Sequence, residues 1–284
     1  MDLKGSPSRR QVLKSLGASA SVPLLAQTVS ADRTERELFE KARTAFHNQK
    51  PVKAEKLFQK AGVDYQIRSD SMTEKAPTRS GSEMNESGGI TTQDYFGKND
   101  STMYFAGAGD RNNPNQHILM LSWDIKGGGG APDDPYPKDL AGIAWEDSEY
   151  GFVAKSIRHS ATAYFSNGKT KSVPITLDSP PLRGKGSENG VIVALSDYVN
   201  LRQAGPDLNA DRVKGHLDIN IRDQEANSKG FASGQYTHMW SFGGLARFSP
   251  LPAVTLTRAG FGFSVDIPAE AGKWDLYEGM DLPA

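Results

Sequence analysis

The side chains able to do chemistry are unevenly supplied in this chain of 284 residues, which has no Cys and five His, at 47, 117, 159, 216 and 238. Without Cys there is no thiol nucleophile, no disulfide and no thiolate-held zinc or iron–sulfur site. The histidines include no pair spaced to share a metal on one helix face or at alternate positions of one strand. An activated serine is often announced by G-x-S-x-G on a strained turn, and that spacing does not occur. Neither H-E-x-x-H nor a phosphate-cradling G-x-x-x-x-G-K-S/T is present. The run Gly127 to Gly130 leads into Ala131-Pro132-Asp133-Asp134-Pro135. With no helix start or basic residue behind it to hold an anion, it reads as a flexible connection.

Oxygen ligands at Asp207, Asn209 and Asp211, with Asp218 at the twelfth position, have the alternate spacing of a calcium loop. The sixth position is Arg212, where the sharp turn wants Gly, and the twelfth is Asp, where a bidentate Glu is usual. A turn whose Asp and Asn side chains cap local N–H groups is the favoured reading, so no metal site is assigned. Carboxylates are plentiful, and a glycosidase-like pair roughly 5 to 9.5 Å apart can be assembled across strands without sequence proximity. Asn85-Glu86-Ser87 and Asn99-Asp100-Ser101 have the acceptor pattern for N-glycosylation.

The elements that would position these groups change character along the chain. From Arg33 to Asn48, Leu38, Phe39, Ala42, Ala45 and Phe46 recur at the helical period, and Pro51 opens a second helix that stops at Gly62. One such hairpin cannot bury its own apolar stripe, so residues 32–68 must lean on a neighbour. Residues 69–95 are polar and read as a linker. From 96 to 284 the period becomes two. Strands are predicted at Thr102 to Ala106, His117 to Ile125, Leu140 to Trp145, Ser160 to Phe165, Ser172 to Leu177, Val191 to Leu195, His216 to Arg222, Gln235 to Phe242, Ala253 to Thr257 and Phe261 to Ile267. Ten short strands with Gly, Pro and Asn between them predict a mainly β chain, an antiparallel sandwich preceded by the hairpin.

Within that sandwich, alternation places Tyr236, His238, Trp240 and Phe242 on one face and Gln235, Thr237, Met239 and Ser241 on the other. The expectation is that this strand pairs antiparallel with 216–222, that the aromatic face is core and His238 is buried, and that the polar faces meet water.

Charge is nearly balanced, with 33 Lys+Arg against 34 Asp+Glu, which excludes a polybasic nucleic-acid binder. Mean hydropathy is −0.53 and no apolar run approaches about 18 residues, so no spanning helix is predicted.

Ahead of the hairpin, Ser8-Arg9-Arg10-Gln11-Val12-Leu13-Lys14 precedes a weakly apolar stretch to Ala26, and Val29-Ser30-Ala31 supplies small residues before Asp32. This resembles a twin-arginine signal peptide over residues 1–31, with Arg9 and Arg10 as the export signal and cleavage between Ala31 and Asp32. The resemblance implies the twin-arginine translocation machinery as a partner during export, and an extracellular destination, secreted or loosely held at the surface. Without Cys no lipoprotein lipid is expected on a Cys after cleavage, and no hydrophobic anchor is expected from Asp281-Leu282-Pro283-Ala284.

The segments Leu119-Met120-Leu121-Ser122-Trp123, Leu140-Ala141-Gly142-Ile143-Ala144-Trp145 and Gly234-Gln235-Tyr236-Thr237-His238-Met239-Trp240 resemble the β-domains of uncharacterised twin-arginine-exported proteins common in halophilic archaea. That group has no established activity, so the resemblance implies export and a β-domain and transfers no catalytic, cofactor or metal residue. The sequence favours a non-enzymatic secreted or surface-associated binding or structural module, with no cofactor and a protein or glycan ligand. The alternative is a secreted carbohydrate-active hydrolase with loop carboxylates.

Overall fold

The computed structural model describes residues 22–71, 101–110, 113, 115–126, 138–177, 189–195, 199–202, 208–225, 228–241, 253–256, 263–266 and 271–282. Arg9, Arg10, Asn85, Asn99 and Asp207 lie outside them, as do residues 72–95 of the expected linker. Two helices, α1 (Val22–His47) and α2 (Pro51–Lys60), are followed only by strands among the described residues. No helix among the described residues is long and apolar enough to cross a membrane.

Both helices end by the same device. After α2, Gly62 takes φ +65°, its N–H bonds to Gln59 O and that of Val63 to Phe58 O. These are the paired bonds of a Schellman motif, and Gly suits the left-handed position because it has no Cβ to clash. After α1 the left-handed residue is Gln49, φ 58°, with the N–H of Gln49 on Phe46 O and that of Lys50 on Ala45 O. A non-glycine residue there carries strain, and its side chain compensates by donating from Nε2 to Ser122 Oγ.

Two antiparallel sheets form the body. The first runs in the order β1 (Tyr65–Ser71), β2 (Thr102–Gly109), β3 (Gln116–Lys126), β12 (Arg212–Asp223), β6 (Arg158–Tyr164), β7 (Thr170–Ser172). A short strand, β5 (Tyr150–Phe152), continues the far edge of β12 at Ile221–Asp223, beyond the Arg212–Asp218 stretch that β6 occupies. The second sheet is β16 (Ala271–Asp281), β13 (Phe231–Ser241), β4 (Asp139–Trp145), β9 (Asn189–Leu195), β8 (Ile175–Leu177). Two small ribbons pair β10 (Asn200–Leu201) with β11 (Leu208–Asn209) and β14 (Ala253–Leu256) with β15 (Phe263–Asp266).

All ten predicted strands are present among the described residues, several of them longer than expected and one divided, at 170–177; Phe242, Thr257, Phe261, Gly262 and Ile267 lie outside the described residues. Tyr65–Ser71 also pairs as a strand, with Thr102–Ala108, so Ser69, Asp70 and Ser71 at the start of the expected linker belong to the sheet.

Period-two alternation sorts the first sheet into two faces. Leu119, Leu121, Trp123 and Ile125 of β3 and Val213, Leu217, Ile219 and Ile221 of β12 point at the second sheet, where they meet Ile143, Val193 and Tyr236. The rings of Trp123 and Tyr236 lie 5.6 Å apart across that interior. On the opposite face Ala106, Ala108, Ile118 and Met120 are covered by the hairpin through Phe39, Phe46 and Phe58, with Leu38 and Leu57 half-buried at the margin. Phe39 meets Phe58 edge-on at 5.5 Å. Burying three phenylalanines against the sheet contributes on the order of 6 kcal/mol before chain ordering is subtracted, an upper bound.

Two expectations fail. Strand β12 does not pair with β13: it pairs with β3, β5 and β6, while β13 pairs with β4 and β16. The chain changes sheets between Asp223 and Phe231, so the aliphatic face of β12 and Tyr236 of β13 meet across the core. Nor does the polar side of β13 face water, since Ser233, Gln235, Thr237 and Met239 are all buried. Thr237 donates to Asp275 at 2.5 Å, and Gln235 Nε2 donates to Thr237 and to Asp275 at 3.2 Å. A polar ladder satisfied across strands can be buried without penalty, so its polarity does not report exposure.

Candidate functional site

One end of the sandwich carries a cleft of about 630 Å³. Strand β3 begins there at Gln116, β12 ends there at Asp223, and β5 lies alongside. The lining side chains are Asn113, Asn115, Gln116, Arg222, Asp223 and Gln224. Backbone bonds fix their positions: Gln116 N–H to Asn113 O at 2.9 Å, Asp223 N–H to Asn115 O at 3.0 Å and Gln224 N–H to Glu149 O at 2.9 Å. Gly151 forms part of the floor, and a Cβ there would lie 3.7 Å from Arg222 Nε, so the arginine lies across bare backbone.

The acid of this cleft is already engaged. His117 Nε2 donates to Asp223 Oδ1 at 2.9 Å, and the imidazole is buried against the edge of Tyr150, ring centroids 5.5 Å apart. Tyr150 anchors the wall behind: its hydroxyl donates to Ser228 O and accepts from Gly230 N–H at 3.1 Å. Burial first, then the neighbouring carboxylates Asp223, Glu149 and Glu146, push its phenol up to about 12, so it keeps its proton. Arg222 differs: its guanidinium has no ion pair or hydrogen bond among the described residues. Gln224 Nε2 already donates to the carbonyls of Asp147 and Tyr150, and Asn113 Nδ2 to Asp110 Oδ2 at 3.0 Å, so the cleft offers the amides of Asn115 and Gln116, the amide oxygens of Asn113 and Gln224 and one cationic fork, groups that recognise hydroxyls and carboxylates.

A second cluster lies under the hairpin, where the last turn of α1 crosses the outer face of β12. Asp218, 1% exposed, accepts from Arg43 Nη2 at 2.7 Å and from His47 Nε2 at 2.9 Å. Arg43 also reaches Glu40 at 3.2 Å. The His47 ring stacks on His216, centroids 3.8 Å apart and planes 6° from parallel. Burial, then the charge of His47, lowers His216 to about 4. Burial alone would raise Asp218, but the hydrogen bond and charge of His47 and Arg43 outweigh it and hold the carboxyl below its ordinary value.

A third cluster is sealed in the second sheet. Asp139, fully buried, accepts from Tyr236 OH at 2.5 Å, from His238 Nδ1 at 3.0 Å and from Met239 N–H at 2.9 Å. Tyr236 and His238 are buried core as the alternation predicts, and the imidazole's partner is a carboxylate. The side chain of Trp240 lies outside the described residues. With 0% and 1% exposure at Asp139 and His238, this pairing is closed to a substrate and serves the core.

The remaining sequence candidates separate. Asn209 is in β11 and Asp218 is committed to Arg43 and His47, far from acting as the twelfth ligand of a loop. His159 is exposed on β6. The backbone of Ala31 and Asp32 lies within α1, which runs unbroken from Val22 through the expected cleavage point. The cleft residues were not singled out by the sequence. The signal available was the amide-rich turn Asn112-Asn113-Pro114-Asn115-Gln116, which marks a loop but not its partner strand ends.

No family model and no curated protein matches this chain. Among solved structures it is similar to one described as a pore forming protein, at 6% identity over 76% of this chain and 90% of that one, TM-score 0.29. It is also similar to the collagen binding domain of Erysipelothrix rhusiopathiae surface protein RspB, at 10% identity over 64% of each chain, TM-score 0.27. A third is the collagen-binding domain from a Staphylococcus aureus adhesin, at 8% identity over 41% of this chain and 74% of that one, TM-score 0.20.

Proposed function

We propose that this chain is an exported, non-enzymatic binding module of the extracellular space or cell surface, which holds a polyhydroxylated ligand, a glycan, in the cleft at the Gln116/Asp223 end. The observation that carries this reading is the lining: amide side chains and Arg222, unpaired among the described residues, on hydrogen-bonded strand ends around a carboxylate already occupied by His117. Amides pair with hydroxyls in both directions, and a rigid frame lowers the ordering cost of binding. Export rests on the Arg9-Arg10 signal. Cleavage between Ala31 and Asp32 leaves the buried hairpin residues Phe39, Ala42, Phe46, Ala54 and Phe58 in the mature chain.

A glycan array with the purified mature protein tests the ligand. An Arg222→Gln variant should lose at least tenfold in affinity for any glycan found while melting like the wild type. Turnover of a glycan that disappears on substitution of one Asp or Glu would overturn the non-enzymatic reading in favour of a hydrolase. Export is tested by changing Arg9 and Arg10 to Lys, which should abolish it, and by the mass of the mature N-terminus.

A further inference from the structure

The ring stack under the hairpin has no part in the proposed cleft, yet its composition is unusual for a docking surface. Two imidazoles lie face to face at 3.8 Å where the helices meet the sheet. Neutral rings stack favourably at that distance, whereas two imidazolium rings repel. We propose that the His47–His216 stack makes docking of the helical hairpin sensitive to pH, so that acidification loosens α1 and α2 from the first sheet and uncovers the apolar face beneath them.

The charges around the stack favour this direction. From α1 come Glu40, Arg43 and His47; from β12, Lys214 and Asp218; from β3, Asp124; and from β6, Arg158 and His159. Asp218 already takes Arg43 and His47, and Asp124 takes Arg212 and Lys214. Glu40 is exposed at the rim and bonded to Arg43. A proton on His216 therefore adds a cation to a surface on which these three carboxylates are already engaged, at a half-buried ring stacked against a second imidazole. With the hairpin undocked, the same imidazole on β12 is solvated and titrates near its ordinary value. Linkage then sets the sign: the undocked form binds the proton more readily, so falling pH favours release. With the docked imidazole at about 4, docking should weaken about thirtyfold between pH 7.5 and pH 5.

Other contacts confine the change to the hairpin. The two sheets share the core of Trp123, Leu121 and Tyr236, on the face of the first sheet opposite the His47–His216 stack. The hairpin rests on Phe39, Phe46 and Phe58 against alanines, Ile118 and Met120, a smaller contact that can open first.

Hydrogen exchange with mass spectrometry on the full chain at pH 7.5, 6 and 5, corrected for intrinsic rates, measures the release. Peptides covering Phe39 to Phe58 should lose about thirtyfold protection at pH 5 while those from the centres of β3 and β12 keep theirs. His216→Phe keeps a flat ring in the stack and removes its proton, and should abolish the pH dependence; if that variant does not fold, His216→Gln replaces it. Unchanged hairpin protection at pH 5, an equal loss in hairpin and sheet, or the same pH dependence in the substituted protein would each overturn the proposal.

Discussion

Asp70 on β1 accepts the backbone N–H of Tyr277 on β16 at 3.0 Å, so a side chain from the edge of one sheet caps the open edge of the other. Edge strands present unpaired N–H groups that invite pairing with another chain, and a carboxylate placed against such a group satisfies it. The same carboxylate sits near Glu278, which is raised by burial first and by Asp70 second. Asp70→Ala should speed exchange of the Tyr277 amide and cost about 1 kcal/mol in urea denaturation. It should also bring the Glu278 carboxyl down toward its ordinary value, as an NMR titration would show.

Gly215 of β12 faces the indole of Trp123, and a Cβ there would enter the ring and lie 2.8 Å from Ser160 O. The backbone oxygen cannot move without breaking the β6 pairing. Gly215→Ala should destabilise by roughly 2 to 3 kcal/mol, the usual cost of overpacking a core. The thermal midpoint measures this, and a midpoint equal to the wild type would mean that Trp123 has another rotamer open to it.

At Gln49 two effects oppose. Gln49→Gly relieves a left-handed residue, a gain of about 1 kcal/mol, and loses the bond to Ser122, a loss of similar size. Net stability should change by less than about 1 kcal/mol. Ser122→Ala should cost about 1 kcal/mol in the Gln49 background and little once Gly is present, the difference being the coupling energy of the double-mutant cycle.

Asp218 gives a distinct signature in acid. Its folded carboxyl lies below the ordinary 3.8, so its contribution to stability is present above that value and is lost as pH falls through the lowered one. Asp218→Asn should cost roughly 3 to 5 kcal/mol at pH 7, because Arg43 and His47 are left without their buried anion. Urea midpoints measured from pH 2 to 7 should show a step below pH 4 in the wild type that the variant lacks.

Much of this fold is legible in the sequence because its local signals agree. Phe39, Phe46 and Phe58 sit at helical spacing, and Leu119, Leu121 and Trp123 alternate. What escaped depends on distant partners. Nothing near Ile221 or Gln235 says that the intervening loop changes sheets, and a polar Gln235 looks the same in sequence whether Asp275 or water satisfies it. Strand β16 was missed because Glu278 and two glycines interrupt an alternation that Leu276, Met280 and Leu282 carry, all three buried. The cleft was illegible for the same reason: Asn113 and Arg222 are neighbours only because β3 and β12 pair in register from Gln116↔Arg222 to Lys126↔Arg212.

That pairing also sets how the protein must fold in time. Strand β3 forms a hairpin with β2 early, since the two are close in sequence, but its other edge waits for β12, which is synthesised far later. Until then Ile118 to Ile125, apolar along its inner face and at Ile118 and Met120 on the outer one, has neither its second neighbour nor the opposing sheet. Closing so long a loop before any contact rewards it slows the search, and topologies of this kind reach the native state in milliseconds to seconds. The unguarded edge of β3 is thus the stretch where a nascent chain most needs shielding from others of its kind.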